Sequence, residues 1–474
     1  MQWVRRLAGT EPATMPPMFE GDEVYPIHFL DDLPTLRDII LTWTMRFNDV
    51  LDPDILQESL LKVFNTGDWR KLGGRLRKRD GKFQLHVPRE FTKERPAFIF
   101  TNEKFDVSIE EHPLAKKLPR ATANPSIQPG SRDFIPLAMR PDAPTDMKDY
   151  LAKDLPQISI HVVSFTDATL VSVMWTHIVM DALGRQEMMK AWSRCLKGEP
   201  IQPLLAARED LVWDAIDPKK NPQVLALEHK RLYGFKFFRF AVRTIWDWLS
   251  GPTTQAKTIF IPKWAVDRLR DQAQEGLKNI GKGRGVISRG DVLASWVVQL
   301  VARAQPQPRP VTCMGAVDLR TRMPGVFEEG AHTDCTLGEI ALKTRETLST
   351  QLAEDQITAY LQIIRREKEE GGDASMVFGE TDSIIVPISN AAKAYFHKSV
   401  DFSPAVIRAG DTSTKRTNPP GTIIYHHPTF IQVNKVMKNW ASITSDREDN
   451  YWMTSFFDPR VLRDMEERMA ELLL

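Results

Sequence analysis

The chain of 474 residues contains no run of about eighteen apolar residues, so no segment of it reads as a membrane-spanning helix. Cysteine is scarce. Cys195, Cys313 and Cys335 are odd in number, widely spaced and without metal-ligand spacing, which suits a reducing compartment and leaves at most one disulfide open. Neither sign of charge dominates, and a formal net charge of +1 gives no general argument for nucleic acid or an anionic membrane as partner. The first residues lack the apolar core of a signal peptide, and Glu471-Leu472-Leu473-Leu474 is neither a prenylation box nor a peroxisomal signal. A cytoplasmic monomer is the expectation. The loop Gly281-Lys282-Gly283-Arg284-Gly285 lacks both the spacing and the following Lys-Ser/Thr of a phosphate-binding loop, and reads as a flexible connection.

With 42% hydrophobic and 26% charged residues the composition is that of a globular protein, at a length that suggests about two or three domains. Residues 39–47 read as a buried strand, and Asp52-Pro53-Asp54 supplies an N-cap, a first-turn proline and early acid for a helix. Asp80-Gly81 marks a hairpin turn, and residues 112–156, rich in proline, read as a long surface connection. Residues 157–165 and 169–175 are two strands, followed by a helical stripe of Leu183, Met188, Met189, Trp192 and Leu196 that ends at Gly198.

From 199 to 256 the character changes. This crossover holds the basic, aromatic run Phe235-Lys236-Phe237-Phe238-Arg239-Phe240 and Trp246-Asp247-Trp248. It is read as a helix packed on its own domain or roofing a tunnel, with contact to a membrane surface as the alternative. The second half offers strands at 257–261, 311–317, 383–388, 422–436 and 451–457, a polar helix at 346–370, and a helix opened by Ser288-Arg289-Gly290-Asp291. The expected domains are 1–200, a linker 201–256, and 257–474.

One stretch carries chemistry: Thr176-His177-Ile178-Val179-Met180-Asp181-Ala182-Leu183-Gly184. The His-x-x-x-Asp spacing does not select it, because His28/Asp32 and His397/Asp401 have the same spacing. Its context does: a strand delivers the chain to His177 and a helix leaves from Gly184. A neutral imidazole, with an ordinary pKa of about 6.5, suits removal of a proton from a hydroxyl nucleophile at neutral pH.

These residues resemble the BAHD family of coenzyme A-dependent acyltransferases, particularly its fungal secondary-metabolism branch. His177, Asp181 and Gly184 match the first signature. Of the second, Asp-Phe-Gly-Trp-Gly, only Asp401-Phe402 is kept. Leu41-Thr42-Trp43, the stretch from Gly67 to Leu76, Asp318-Leu319-Arg320-Thr321-Arg322 and Ser389-Asn390 fall in the family's order, so the resemblance spans about residues 35–457.

The resemblance implies an α/β, chloramphenicol-acetyltransferase-like fold of two domains, each a mixed sheet flanked by helices, with an interdomain tunnel. A segment at about 400–430 is expected to cross back onto the first domain. The implied reaction is O-acylation, most simply O-acetylation, of a small hydrophobic metabolite by acyl-CoA without a metal, with His177 as general base. Asp181 would be a brace paired with Arg320, or with Arg322 in its place, and Asp401 would be architectural. Ser389 and Asn390 would orient substrate or an oxyanion, or form an ordinary polar turn. Ser288 would start a helix, with a CoA phosphate as a secondary use.

Overall fold

The computed structural model describes residues 16–279, 287–323, 351–372, 376–432 and 438–474. The 281–285 loop, Cys335, residues 346–350 of the expected polar helix and 433–436 of the expected strand lie outside these. Contacts divide the chain into two units: residues 1–118, 131–210 and 395–432 form the first, and 119–130, 211–394 and 433–474 the second.

In the first unit, β-branched and aromatic runs build a five-stranded sheet of β2 (Ile40–Phe47), β6 (Ile99–Lys104), β8 (Ile158–Ser164), β9 (Thr169–Thr176) and β14 (Tyr425–Phe430), in the order β14-β2-β9-β8-β6. Only β6 and β8 pair in parallel. Strand alternation sends Leu41, Trp43, Met45 and Phe47 to one face, beside Val171, Val173 and Trp175 from the paired strand. On that face lie helices α1 (Pro53–Phe64) and α2 (Ala182–Leu196). Asp52 caps α1 by accepting from the amides of Asp54 and Ile55. The two helices are joined by the Trp192 indole, which donates to Leu56 O (3.2 Å) and Ser59 Oγ (2.9 Å).

The other face of the sheet carries a polar row beside apolar Val163 and Leu170. His427, Thr44, Ser172, His161 and Thr101 stand in one transverse row across all five strands. Thr44 and Ser172 share a hydrogen bond of 3.0 Å, and Thr101 meets His161 Nδ1 at 2.8 Å.

A three-stranded sheet of β1 (Glu23–Pro26), β5 (Lys82–Val87) and β4 (Arg75–Arg79) also lies in this unit, and Asp80 and Gly81 take the positive φ of a tight hairpin turn (49° and 77°). β3 (Asp49–Leu51) pairs with β13 (Val406–Ala409), so residues 395–432 contribute both β13 and β14 to the first unit. The fully buried Asp49 fixes this segment: its carboxylate takes two hydrogen bonds of 2.7 Å from Arg416 and one of 2.8 Å from the Gly421 amide.

The second unit holds a six-stranded sheet in the order β11-β12-β15-β16-β10-β7. Its strands are β7 (Ser126–Pro129), β10 (Gln255–Ile261), β11 (Val311–Gly315), β12 (Ile384–Asn390), β15 (Trp440–Ser445) and β16 (Tyr451–Phe457). Among the described residues the remaining long helices are α3 (Gly234–Ser250), α4 (Lys263–Asn279), α5 (Arg289–Arg303), α6 (Glu354–Glu369) and α7 (Pro459–Glu471). Leu293, Val297, Val386, Ile443, Met453 and Met465 are all within its core.

The proline-rich stretch 112–156, expected as a surface connection, is partly structural. Its short β7 adds an edge strand to β10, a position that tolerates Pro129 and is too short to display alternation. Residues 211–256, expected as part of a linker, group with the second unit and carry α3. That helix packs by one face: Phe240 is buried, and Phe237, Ala241, Thr244 and Asp247 are half-buried.

Candidate active site

β9 ends at Thr176, whose hydroxyl donates to Gln157 Oε1 at 2.8 Å. The His177 amide donates to Ile39 O at 2.8 Å, which ties the turn to the start of β2. The turn is pinned again by the Trp175 indole, donating to Met180 O at 3.0 Å. Asp181 then caps α2, its Oδ1 accepting from the Gly184 amide at 2.6 Å. A Cβ on Gly184 would sit 3.1 Å from both that oxygen and Met180 Cβ, so glycine lets the cap close.

His177 is thus held by backbone on both sides. Burial pushes its pKa below the ordinary 6.5, against the smaller opposing pull of the Asp181 carboxylate. Nδ1 is buried and has no hydrogen-bond partner among the described residues. The imidazole is therefore neutral at physiological pH, in the free-base form that can accept a proton.

One turn into α2 stands a residue that the sequence reading missed. Arg185 is 3% exposed, with its guanidinium carbon 3.6 Å from the Trp43 ring centroid, 4.3 Å from Phe396 and 5.7 Å from Trp175. Burial brings its pKa down to about 9, with Asp181 acting in the opposite direction. Its position, four residues after Asp181 on a helix, is the signal that was available.

The other expected residues each have contacts within their own unit. Arg320 forms an ion pair of 3.3 Å with Asp318, two residues before it. Asp401 pairs with Lys197 Nζ at 2.7 Å and accepts from the Ser403 amide at 3.0 Å. Burial opposes its charge, but these partners outweigh it and hold the carboxyl below its ordinary range. Lys197 caps the C-terminal end of α2, about 24 Å along the helix from Asp181, so Asp401 anchors the far end of the helix. Phe402 follows it, fully buried between Phe47 (5.5 Å) and Trp192 (4.7 Å).

Ser288 and Asn390 come together in the second unit. Ser288 and Asp291 form a capping box at the start of α5, and a Cβ on Gly290 would lie 2.8 Å from Asn390 Nδ2. Asn390 Oδ1 accepts from the Ala392 amide at 3.2 Å, while the preceding Ser389 pairs in register with Ser442 of β15. These are the contacts of a helix start and a strand end.

Both decoy aspartates bind cations. Burial and the ammonium of Lys71 bring the His28 pKa down to about 4, while Asp32 binds Arg37 at 3.1 Å. His397 is buried in a short turn against Tyr395 (6.0 Å between ring centroids), and Asp401 serves Lys197.

A model described as the Transferase family matches residues 143–398. O-acetyltransferase PaAT-2 of Phomopsis amygdali is 33% identical over 491 residues, covering 95% of this chain and 98% of its own. The chain belongs to the BAHD-type Transferase family. As a member it is an enzyme, an acyltransferase. Acetyltransferase pyiB of Pyricularia grisea is also 33% identical, over 97% of this chain and 96% of its own. The fold is that of F. graminearum TRI101, complexed with coenzyme A and T-2 mycotoxin, at a TM-score of 0.63 and 15% identity over 94% of this chain and 97% of that one.

Proposed function

We propose that this BAHD-type acyltransferase moves an acetyl group from acetyl-CoA to a hydroxyl of a small hydrophobic secondary metabolite, with His177 as general base. The observation that carries this reading is the half-buried imidazole, its Nδ1 buried and its backbone fixed at the end of β9. The names of PaAT-2 and pyiB support acetyl as the group transferred, and the coenzyme A in the TRI101 complex supports the donor.

A thioester is already activated, so a covalent acyl-enzyme is not required. His177 takes the proton of the acceptor hydroxyl as its oxygen attacks the thioester carbonyl. The C–S bond then breaks, and the protonated imidazole returns the proton to the departing CoA thiolate. Burial favours this cycle because it holds the resting imidazole neutral. Asp181 is a positioning residue: it caps α2 and sets the potential at the ring.

In this reading the enzyme works as a monomer in the cytoplasm and uses no metal. The test is incubation with acetyl-CoA and a panel of small hydrophobic alcohols, following release of free thiol, with the His177→Ala variant in parallel. Acceptor-dependent thiol release that the variant lacks is expected. Equal turnover by the variant would overturn the role of His177.

A further inference from the structure

Helix α3 presents an apolar stripe to solvent. Phe235, Phe238, Val242, Ile245, Trp246 and Leu249 are 74%, 60%, 51%, 51%, 62% and 69% exposed. At the helical repeat they fall within an arc of about 100° and extend for about 20 Å. Single exposed apolar residues are ordinary on a protein surface, but a continuous stripe of this length marks an interaction surface.

The same helix carries its charge in register. Lys236, Arg239 and Arg243 are exposed and occupy the next ~60° of the circumference, along one flank of the stripe. Asp247 is the helix's only acidic residue, and it lies beyond that flank, paired with Arg243 at 3.3 Å and Arg309 at 2.8 Å. Phe240, the one buried residue, faces away from the stripe.

We propose that α3 is an interfacial helix, which lays this stripe into the surface of a bilayer containing anionic phospholipid. The charge decides the occupant. Headgroup phosphates answer the basic flank while the acyl boundary takes Phe235, Phe238, Trp246 and Leu249, the arrangement that membrane-surface helices require. A second copy of the helix on the stripe would bring no free acidic group to that flank, since its only acid, Asp247, is already paired. The helix lies on the bilayer and does not cross it, since no described helix is long and apolar enough to span one. The proposal is independent of the acetyl-transfer reading.

The experiment is sedimentation of the full chain with vesicles of phosphatidylcholine alone, or of phosphatidylcholine with about a third phosphatidylserine, at low and high salt. The chain should sediment with the anionic vesicles and be released by salt. At about fivefold per cation, K236E/R239E should weaken binding by about 25-fold or more. F238E/W246E should abolish it while leaving the melting temperature unchanged, because both side chains are exposed. Failure of the wild type to bind anionic vesicles, or equal binding by wild type and both variants, would overturn the proposal. So would a dimer in light scattering that F238E/W246E dissociates, which would assign the stripe to a second copy.

Discussion

The Arg185 guanidinium carbon lies 3.6 Å from the centroid of the Trp43 ring. One buried cation thereby joins α2, the helix that starts at the active-site turn, to β2 beneath it, and Phe396 extends the stack to the segment that returns from the second unit. A planar guanidinium can stack on both rings, whereas an ammonium cannot match that geometry. Arg185→Lys should therefore cost about 1–2 kcal/mol, and Arg185→Ala about 3 kcal/mol, in urea unfolding. A lysine variant as stable as the wild type would exclude stacking as the cause.

His177→Ala should lower kcat/KM by about 10²–10⁴-fold, the contribution of a positioned general base. In the wild type, activity requires the neutral ring, so kcat/KM should fall on the acid side. Because burial depresses the pKa, the midpoint of that limb belongs below the ordinary 6.5. A limb at or above 6.5 in a pH–rate profile would contradict the burial seen around the ring.

Asp181 combines a cap and a charge, and two substitutions separate them. Asparagine can still accept from the Gly184 amide, so Asp181→Asn should melt within a few degrees of the wild type, while Asp181→Ala should lose about 1 kcal/mol of cap energy. The carboxylate raises the His177 pKa. Its removal in Asp181→Asn should move the acid limb further down in pH. An unmoved limb in a well-folded variant would show that the charge of Asp181 does not set the potential at the ring.

How much of this was legible in the sequence depended on whether the signal was local. The 157–165 and 169–175 strands, the Asp52-Pro53 helix start and the Asp80-Gly81 turn each combine hydrophobic periodicity with a turn or cap residue, and each lies where expected. His177 was chosen over two equally spaced histidines by its flanking strand and helix, and both are present. β7 was missed because four residues show no period and its partner β10 lies more than a hundred residues away. Arg185 was missed because its partner rings come from β2 and from residue 396, contacts that no spacing encodes. The apolar stripe that α3 leaves exposed was not legible for a related reason: amphipathicity says that a helix has an apolar face, and not what covers it.

His427 gives the last prediction, and it concerns stability. Its ring is 1% exposed, and neither nitrogen has a hydrogen-bond partner among the described residues. Burial brings its pKa down from the ordinary 6.5 to about 3. Between those values the unfolded chain holds a proton that the folded chain does not. The contribution of this side chain is therefore full above pH 6.5 and is lost as pH falls towards 3. At pH 5 the loss is about 2 kcal/mol relative to pH 7. His28, His161 and His177 shift in the same direction, so the wild type should weaken by more than that single contribution. Replacing His427 by phenylalanine, whose ring suits the neighbouring Phe134 and Tyr425, removes one of these protons. Urea unfolding at pH 7 and pH 5 should show His427→Phe losing about 2 kcal/mol less than the wild type over that interval. Equal losses in the two proteins would mean that the wild-type ring gains its proton in the folded state at ordinary pH, against the dry surroundings that the sheet gives it.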